Sequence, residues 1–333
     1  MKSYIKVALF ILVLLLLGFF IRATDWSGVV ASVRQVGFKF LILMFTTFVS
    51  AWLGVLCWRY CLPQKANTVS GWQLFWIRMI GENIAILNPT SVIGGEAAKI
   101  YMLTELGIEK RQALHSILLS RAITIISQIM MLVIAGIFFF SLAVDDFSWP
   151  NIHWSWLLGI PVALGLASLL RQNPTFRKTM KRFFVRVGFL EFYQKIRVFL
   201  RELWQELRVF YRENRRAMFL SFLFCSLHWI VGSLEFYFIL LFLGVKTTIA
   251  KALLVDMGVI VFKTAGGFIP GQIGVEEYGN KVMLAIIGIA GNTIWITASV
   301  LRRARQLCWI VLSFLVYFFY FRKKSDIFQQ PQG

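Results

Sequence analysis

Thirteen charged side chains lie within or beside long apolar stretches: Arg78, Glu82, Glu96, Lys99, Arg121, Glu235, Asp256, Lys263, Glu276, Glu277, Arg302, Arg303 and Arg305. An Arg, Lys or Asp at the centre of a membrane-buried helix costs about 2.5 to 3.5 kcal/mol, so such residues pair with one another or face a wet cavity. Two chemistries fit these residue types. In the first, Glu96 pairs with Arg121 and Glu277 with Arg302, locking neighbouring segments together. In the second, Arg78, Arg121, Lys263 and Arg302 offer cations to a phosphate while the glutamates, Glu276 among them, hold or release them. Both can operate at once. Lys99 follows Glu96 by three residues and shares its helical face, where a solvated charge is the plainer reading. His228 and Glu235, seven residues apart on one face, suit a proton relay or, more plainly, an imidazole satisfied by a neighbour.

Two polar, helix-breaking islands accompany these charges. The first is Asn88-Pro89-Thr90-Ser91-Val92-Ile93-Gly94-Gly95-Glu96, with Arg121 in the next apolar run. The second is Gly266-Gly267-Phe268-Ile269-Pro270-Gly271-Gln272-Ile273-Gly274-Val275-Glu276-Glu277, followed by Arg302. Laying Pro89 on Pro270 without gaps also brings Glu96 onto Glu277, Met102 onto Met283, Leu103 onto Leu284, Gly107 onto Gly288, Ile108 onto Ile289 and Arg121 onto Arg302, seven identities over 33 positions. Pro89 and Pro270 stop each helix from running on. A half-helix starting near Ser91 leaves its first N–H groups and the positive end of its dipole open to an anion. Gly94, Gly95, Gly271 and Gly274 would let a headgroup approach the backbone. The rival reading is that these small residues serve tight helix packing in lipid.

The remaining composition narrows the class. The 333 residues are 58% hydrophobic, 16% aromatic and 15% charged, too apolar for a soluble domain and typical of a polytopic membrane protein. The net charge of +19 sits beside apolar runs, where it sets topology and meets anionic lipid, so no nucleic-acid partner is expected. Cys57, Cys61, Cys225 and Cys308, with His115, His153 and His228, form neither a disulfide framework nor a metal-ligand spacing. There is no phosphate-binding loop of the Walker type and no Gly-x-Ser-x-Gly elbow. No metal, cofactor or catalytic role is therefore expected.

Residues 4–21, after Lys2 and Lys6, form an apolar run without a small-x-small cleavage site and are expected to be an uncleaved span. Further spans are expected at 38–58, 114–142, 154–170, 217–245 and 294–321. Residues 72–87 and 92–106 are each too short to cross, as are the two pieces of 248–287, and are expected to form re-entrant hairpins. Between Arg171 and Arg216, 13 Lys and Arg face 4 Glu, which fixes that connection in the cytoplasm. Within it Phe192, Ile196, Phe199, Leu203, Leu207 and Phe210 recur at helical spacing, describing an amphipathic helix on the inner leaflet or under the bundle. Six spans with both termini cytoplasmic make one all-α, polytopic membrane domain over 1–333. Its first repeat covers 38–142, and a second over 219–323 is inverted, as in many alternating-access transporters.

The run from Asn88 to Glu96, Gly107, Arg121 and the run from Pro270 to Glu276 resemble the membrane region of lysylphosphatidylglycerol synthases and related stand-alone flippase-like proteins, over about residues 30–320. The resemblance implies a flippase-like fold that handles an anionic headgroup between two inverted halves, for aminoacylated phosphatidylglycerol, hopanoid or polyprenyl-linked glycan pathways. Only Arg322 to Gly333 follow the last expected span, so lysyl transfer is not expected to carry over. Lys99 stands where the resemblance leads one to expect arginine. The expected function is translocation of an anionic-headgroup lipid or polyprenyl-phosphate-linked glycolipid across a bacterial inner membrane. The alternatives are an integral-membrane transferase on a lipid-linked substrate and a scaffold for a lipid-synthesis enzyme. Expected partners are the lipid, such an enzyme and a second copy of the chain.

Overall fold

The computed structural model describes residues 34, 36–63, 69–87, 92–143, 201, 204–266, 272, 274–289 and 291–321. The expected spans at 4–21 and 154–170, the breaks at Asn88, Pro89, Pro270 and Gly271, and most of the basic connection lie outside them. Residues 144–213 form a unit of their own, in which the described residues are helical and Leu207, on the expected apolar face, is buried.

The other unit holds eight α-helices among the described residues: α1 (Phe40–Cys61), α2 (Gly71–Leu87), α3 (Val92–Glu105), α4 (Lys110–Ala143), α5 (Arg215–Phe242), α6 (Ile249–Ala265), α7 (Val275–Ile286) and α8 (Asn292–Val316). The described residues contain no strand. Three stretches, Gly37–Cys61, Lys110–Phe139 and Arg215–Phe242, are long and apolar enough to cross a bilayer, so the chain is an all-α membrane protein. Helix α8 has the length, at 25 residues, but carries Arg302, Arg303 and Arg305 in its middle. By contrast α2, α3, α6 and α7 have 17, 14, 17 and 12 residues. At ~1.5 Å per residue each falls short of a hydrocarbon core of about 30 Å.

Local chemistry explains where these short helices begin and end. Ser70 and Gln73 open α2 with a reciprocal cap: Gln73 N–H donates to Ser70 Oγ at 3.2 Å and Ser70 N–H to Gln73 Oε1 at 2.9 Å. Thr248 caps α6 by accepting from Lys251 N–H at 3.3 Å. Helices α3 and α7 both end on a glycine with positive φ, Gly107 at +88° and Gly288 at +87°. In each, the glycine N–H donates three residues back, to Thr104 or Ala285, and the next N–H five back, from Ile108 to Leu103 and from Ile289 to Leu284. These two stops keep the register that lays Pro89 on Pro270, and so do the last residues of α1 and α5, Cys61 and Phe242.

The packing follows the same correspondence. Helix α1 packs on α2 as α5 does on α6; α2 on α3 as α6 on α7; α3 on α4 as α7 on α8; α1 on α4 as α5 on α8; and α4 meets α6 as α8 meets α2. The equivalent helices α1 and α5 lie against each other. Small residues Ser50, Cys57 and Cys61 of α1 meet Ser221, His228 and Gly232 of α5, so that backbones approach closely. Ser221 Oγ donates to the Cys57 carbonyl at 2.9 Å, while Ser50 Oγ donates to the His228 carbonyl at 3.0 Å, so α1 and α5 run antiparallel. Around this seam Leu43, Phe236, Ile239, Val255, Met257, Leu284 and Leu301 fill the core.

Candidate functional site

The second half holds a closed ionic cluster. Helix α8 puts Arg302 between α6 and α7, where its Nε donates to Glu276 Oε1 at 3.1 Å and its Nη1 to Asp256 Oδ1 at 2.9 Å. Glu235 of α5 lies 3.9 Å from Nε, and the guanidinium sits 4.2 Å over the Phe236 ring. Lys263 Nζ holds the other Glu276 oxygen at 3.2 Å, while Arg305 pairs with Glu235 and also donates to Thr47 Oγ1 of α1 at 3.1 Å. Arg303 donates to Glu277 Oε1 at 2.6 Å, and Glu277 Oε2 accepts from Gly274 N–H at 2.7 Å. Four cations face four carboxylates, and the central side chains of Arg302, Glu235, Asp256 and Glu276 are 6–7% exposed. Such a cluster is held together by the cost of stranding any one member.

The first half is built from equivalent helices with a different balance. Arg78 on α2 reaches Glu82 at 2.8 Å one turn on, and its Nη2 lies 3.5 Å from His228 Nε2 on α5. Gly54 on α1 makes the space, since a Cβ there would collide with the Arg78 guanidinium. Across the hairpin, α3 contributes Glu96 and Lys99. Glu96 Oε1 is 3.4 Å from Lys99 Nζ and 4.0 Å from Arg121 Nη1 of α4. The Lys99 stem lies along Gly81 of α2, the residue next to Glu82. Among the described residues, then, three cations face two carboxylates. The pairs around Glu96 are long, and Arg121, equivalent to Arg302, is 47% exposed against 6%.

A sequence profile for the lysylphosphatidylglycerol synthase transmembrane region matches residues 4–314. This chain belongs to that family. The match takes in both charged clusters and nearly every described helix of the lysylphosphatidylglycerol synthase transmembrane-region fold, and it gives the chain a membrane, lipid-related setting. No match was found among curated proteins or among solved structures.

Within this family member the expected residues are distributed as follows. Glu96, Lys99 and Arg121 come together at the first hairpin, where Gly95 packs on α2 and Arg78 of α2 pairs with Glu82, and Gly94 lies in the first turn of α3; Lys263, Gly274, Glu276, Glu277 and Arg302 come together at the second. Asn88, Pro89, Pro270 and Gly271 lie outside the described residues. The pairing of Glu277 with Arg302 is not the one observed: Glu276 takes Arg302 and Glu277 takes Arg303. Neighbouring residues on a helix point about 100° apart, so only one of the two glutamates can face the wedge between α6 and α8. Lys99 is buried rather than solvated, because α2 covers its stem. His228 and Glu235 are split between the two clusters, so they make no relay together. Gly95 packs its backbone on the Gly81 carbonyl and Ala85, a packing role. Gly274 has φ +83° and open space beside it. Sequence reasoning missed the notch at Gly54 and the groove at Gly81, which no break motif marks.

Proposed function

We propose that this chain translocates a lipid with an anionic headgroup between leaflets, acting by binding and reorientation rather than by bond chemistry. The headgroup is held in the α2–α3–α4 cluster, by Arg121, Lys99 and Arg78 against Glu96 and Glu82, while its tails stay in the bilayer. The observation that carries this reading is the unequal charge of the two halves: among the described residues the second cluster is neutral and shut, while the first has a surplus cation and an exposed Arg121. A phosphate can satisfy that surplus with charge-assisted hydrogen bonds. The cluster around Arg302 is the rigid counterpart, holding the second hairpin to its following helix.

The antiparallel α1–α5 pair and the matched packing of the two halves support an inverted repeat with two re-entrant hairpins. In this reading the charged connection is cytoplasmic, the chain has six spans, and both termini lie on the cytoplasmic side of a bacterial inner membrane. Reconstitution in phosphatidylcholine vesicles with fluorescent phosphatidylglycerol or phosphatidylcholine tests the function. The wild-type chain is expected to exchange the anionic probe faster than the zwitterionic one. Arg121→Ala is expected to slow that exchange about tenfold, as loss of a charge-assisted contact implies, without changing thermal stability. Equal rates for both probes and both proteins contradict the proposal.

A further inference from the structure

His228 connects the open cluster to the seam between the two halves, and its neighbours fix its state. Its Nδ1 lies 2.7 Å from the Ser50 carbonyl, which can only accept, so Nδ1 carries the proton. Ser50 Oγ lies 2.8 Å from the same nitrogen and spends its own proton on the His228 carbonyl. Nε2 is therefore a bare lone pair, 3.5 Å from Arg78 Nη2, a group that can only donate. A proton on Nε2 would set two cations face to face.

The other charged groups around this helix leave that balance to the first cluster. Arg78 faces the imidazole from α2, with Glu82 paired to it. Asp256 of α6 is held by Arg302 of α8, and Arg305 of α8 pairs with Glu235. Helix α1 gives the imidazole the Ser50 hydroxyl and carbonyl, while its thiols Cys57 and Cys61 meet Ser221 of α5, and α4 carries Arg121, which leans on Glu96. The variable charge beside His228 is thus whatever occupies the cluster of Arg78, Lys99 and Arg121.

We infer that His228 is a proton-binding site loaded together with the anionic headgroup, so that one lipid and one proton are carried in the same cycle. This rests on the headgroup site proposed above. In the empty cluster the helix-packed surroundings of His228 and the Arg78 guanidinium, itself paired with Glu82, both disfavour a proton on Nε2; a bound phosphodiester lessens the part that Arg78 contributes. By linkage the proton in turn favours the anion. The proton passes from hydronium to the Nε2 lone pair: one O–H bond breaks as the N–H bond forms, and water leaves. A headgroup carrying one negative charge then crosses as a neutral pair.

Titrating the intact protein in detergent with phosphatidylglycerol, by calorimetry in two buffers of different ionisation enthalpy, counts protons taken up per lipid. The count is expected to rise between zero and one as pH falls from 8 to 5.5; zero at every pH overturns the inference. In vesicles, exchange at subsaturating probe is expected to quicken on acidification by up to about tenfold per pH unit in wild type. It should stay flat in His228→Gln, which keeps an acceptor for Arg78 but cannot titrate. His228→Asn, which keeps the donor to Ser50, should be flat as well. Equal pH slopes in wild type and either variant overturn the proton site while leaving translocation intact. Absence of phosphatidylglycerol binding and exchange in wild type at every pH instead overturns the headgroup reading, and the proton site with it.

Discussion

Arg121 and Arg302 occupy equivalent positions in the two halves, yet Arg302 is gripped by Asp256 and Glu276 while Arg121, among the described residues, meets only Glu96, at 4.0 Å. Removing Arg302 strands buried carboxylates, whereas removing Arg121 leaves Glu96 its contact with Lys99. Arg302→Ala is expected to lose about 3 to 5 kcal/mol of stability. It should therefore be scarce or aggregated when size-exclusion profiles in detergent are compared, and Arg121→Ala should match wild type within about 1 kcal/mol. Gly54→Leu fills the notch under the Arg78 guanidinium and should cost about 1 to 3 kcal/mol, read as a lower melting temperature. At this scale the sequence marks which charges are buried, because apolar neighbours make every one of them anomalous. It does not mark the partners. The choice between Glu276 and Glu277 depends on which of two adjacent directions faces α6 and α8, and Asp256 joins Arg302 from a helix whose rotation no periodicity in so apolar a segment reveals.

Helices α3 and α7 are two copies of one element, each stopped by a glycine in the left-handed region and followed by an isoleucine that closes the turn. Gly107→Ala and Gly288→Ala should each cost about 1 to 2 kcal/mol, because an L side chain is strained at that φ. Thermal unfolding in detergent would measure the two, and equal losses are the expected outcome. Inside the first hairpin, Gly95→Val should separate α3 from α2, since any Cβ there meets the Gly81 carbonyl and Ala85. The expected result is reduced stability together with lost exchange of anionic lipid. The short helices were legible from proline and glycine punctuation, and α2 and α3 begin and end within one or two residues of where that punctuation puts them. The contact between hairpin arms was not, because Gly81 and Gly54 sit in otherwise ordinary apolar helix and gain meaning only from what crosses them.

The molecule as a whole joins two similar halves through an antiparallel α1–α5 seam, and the recurrence of proline, glutamate, glycine and arginine in one register foreshadows it. What that register cannot express is that the halves have diverged in electrostatics: among the described residues one cluster is neutral and closed, the other cationic and open. In the function proposed above, one half is a rigid abutment while the other handles charge, and that proposal requires the halves to be inverted across the bilayer. Lys110 and Gly291 are equivalent, exposed positions at the exits of the two hairpins. In a background where the exposed Cys308 is replaced by serine and the buried Cys57, Cys61 and Cys225 remain, Lys110→Cys and Gly291→Cys can be labelled with a membrane-impermeant maleimide from either side. The account predicts labelling of Lys110→Cys from the cytoplasmic side alone and of Gly291→Cys from the opposite side alone; labelling of both from the same side would contradict it.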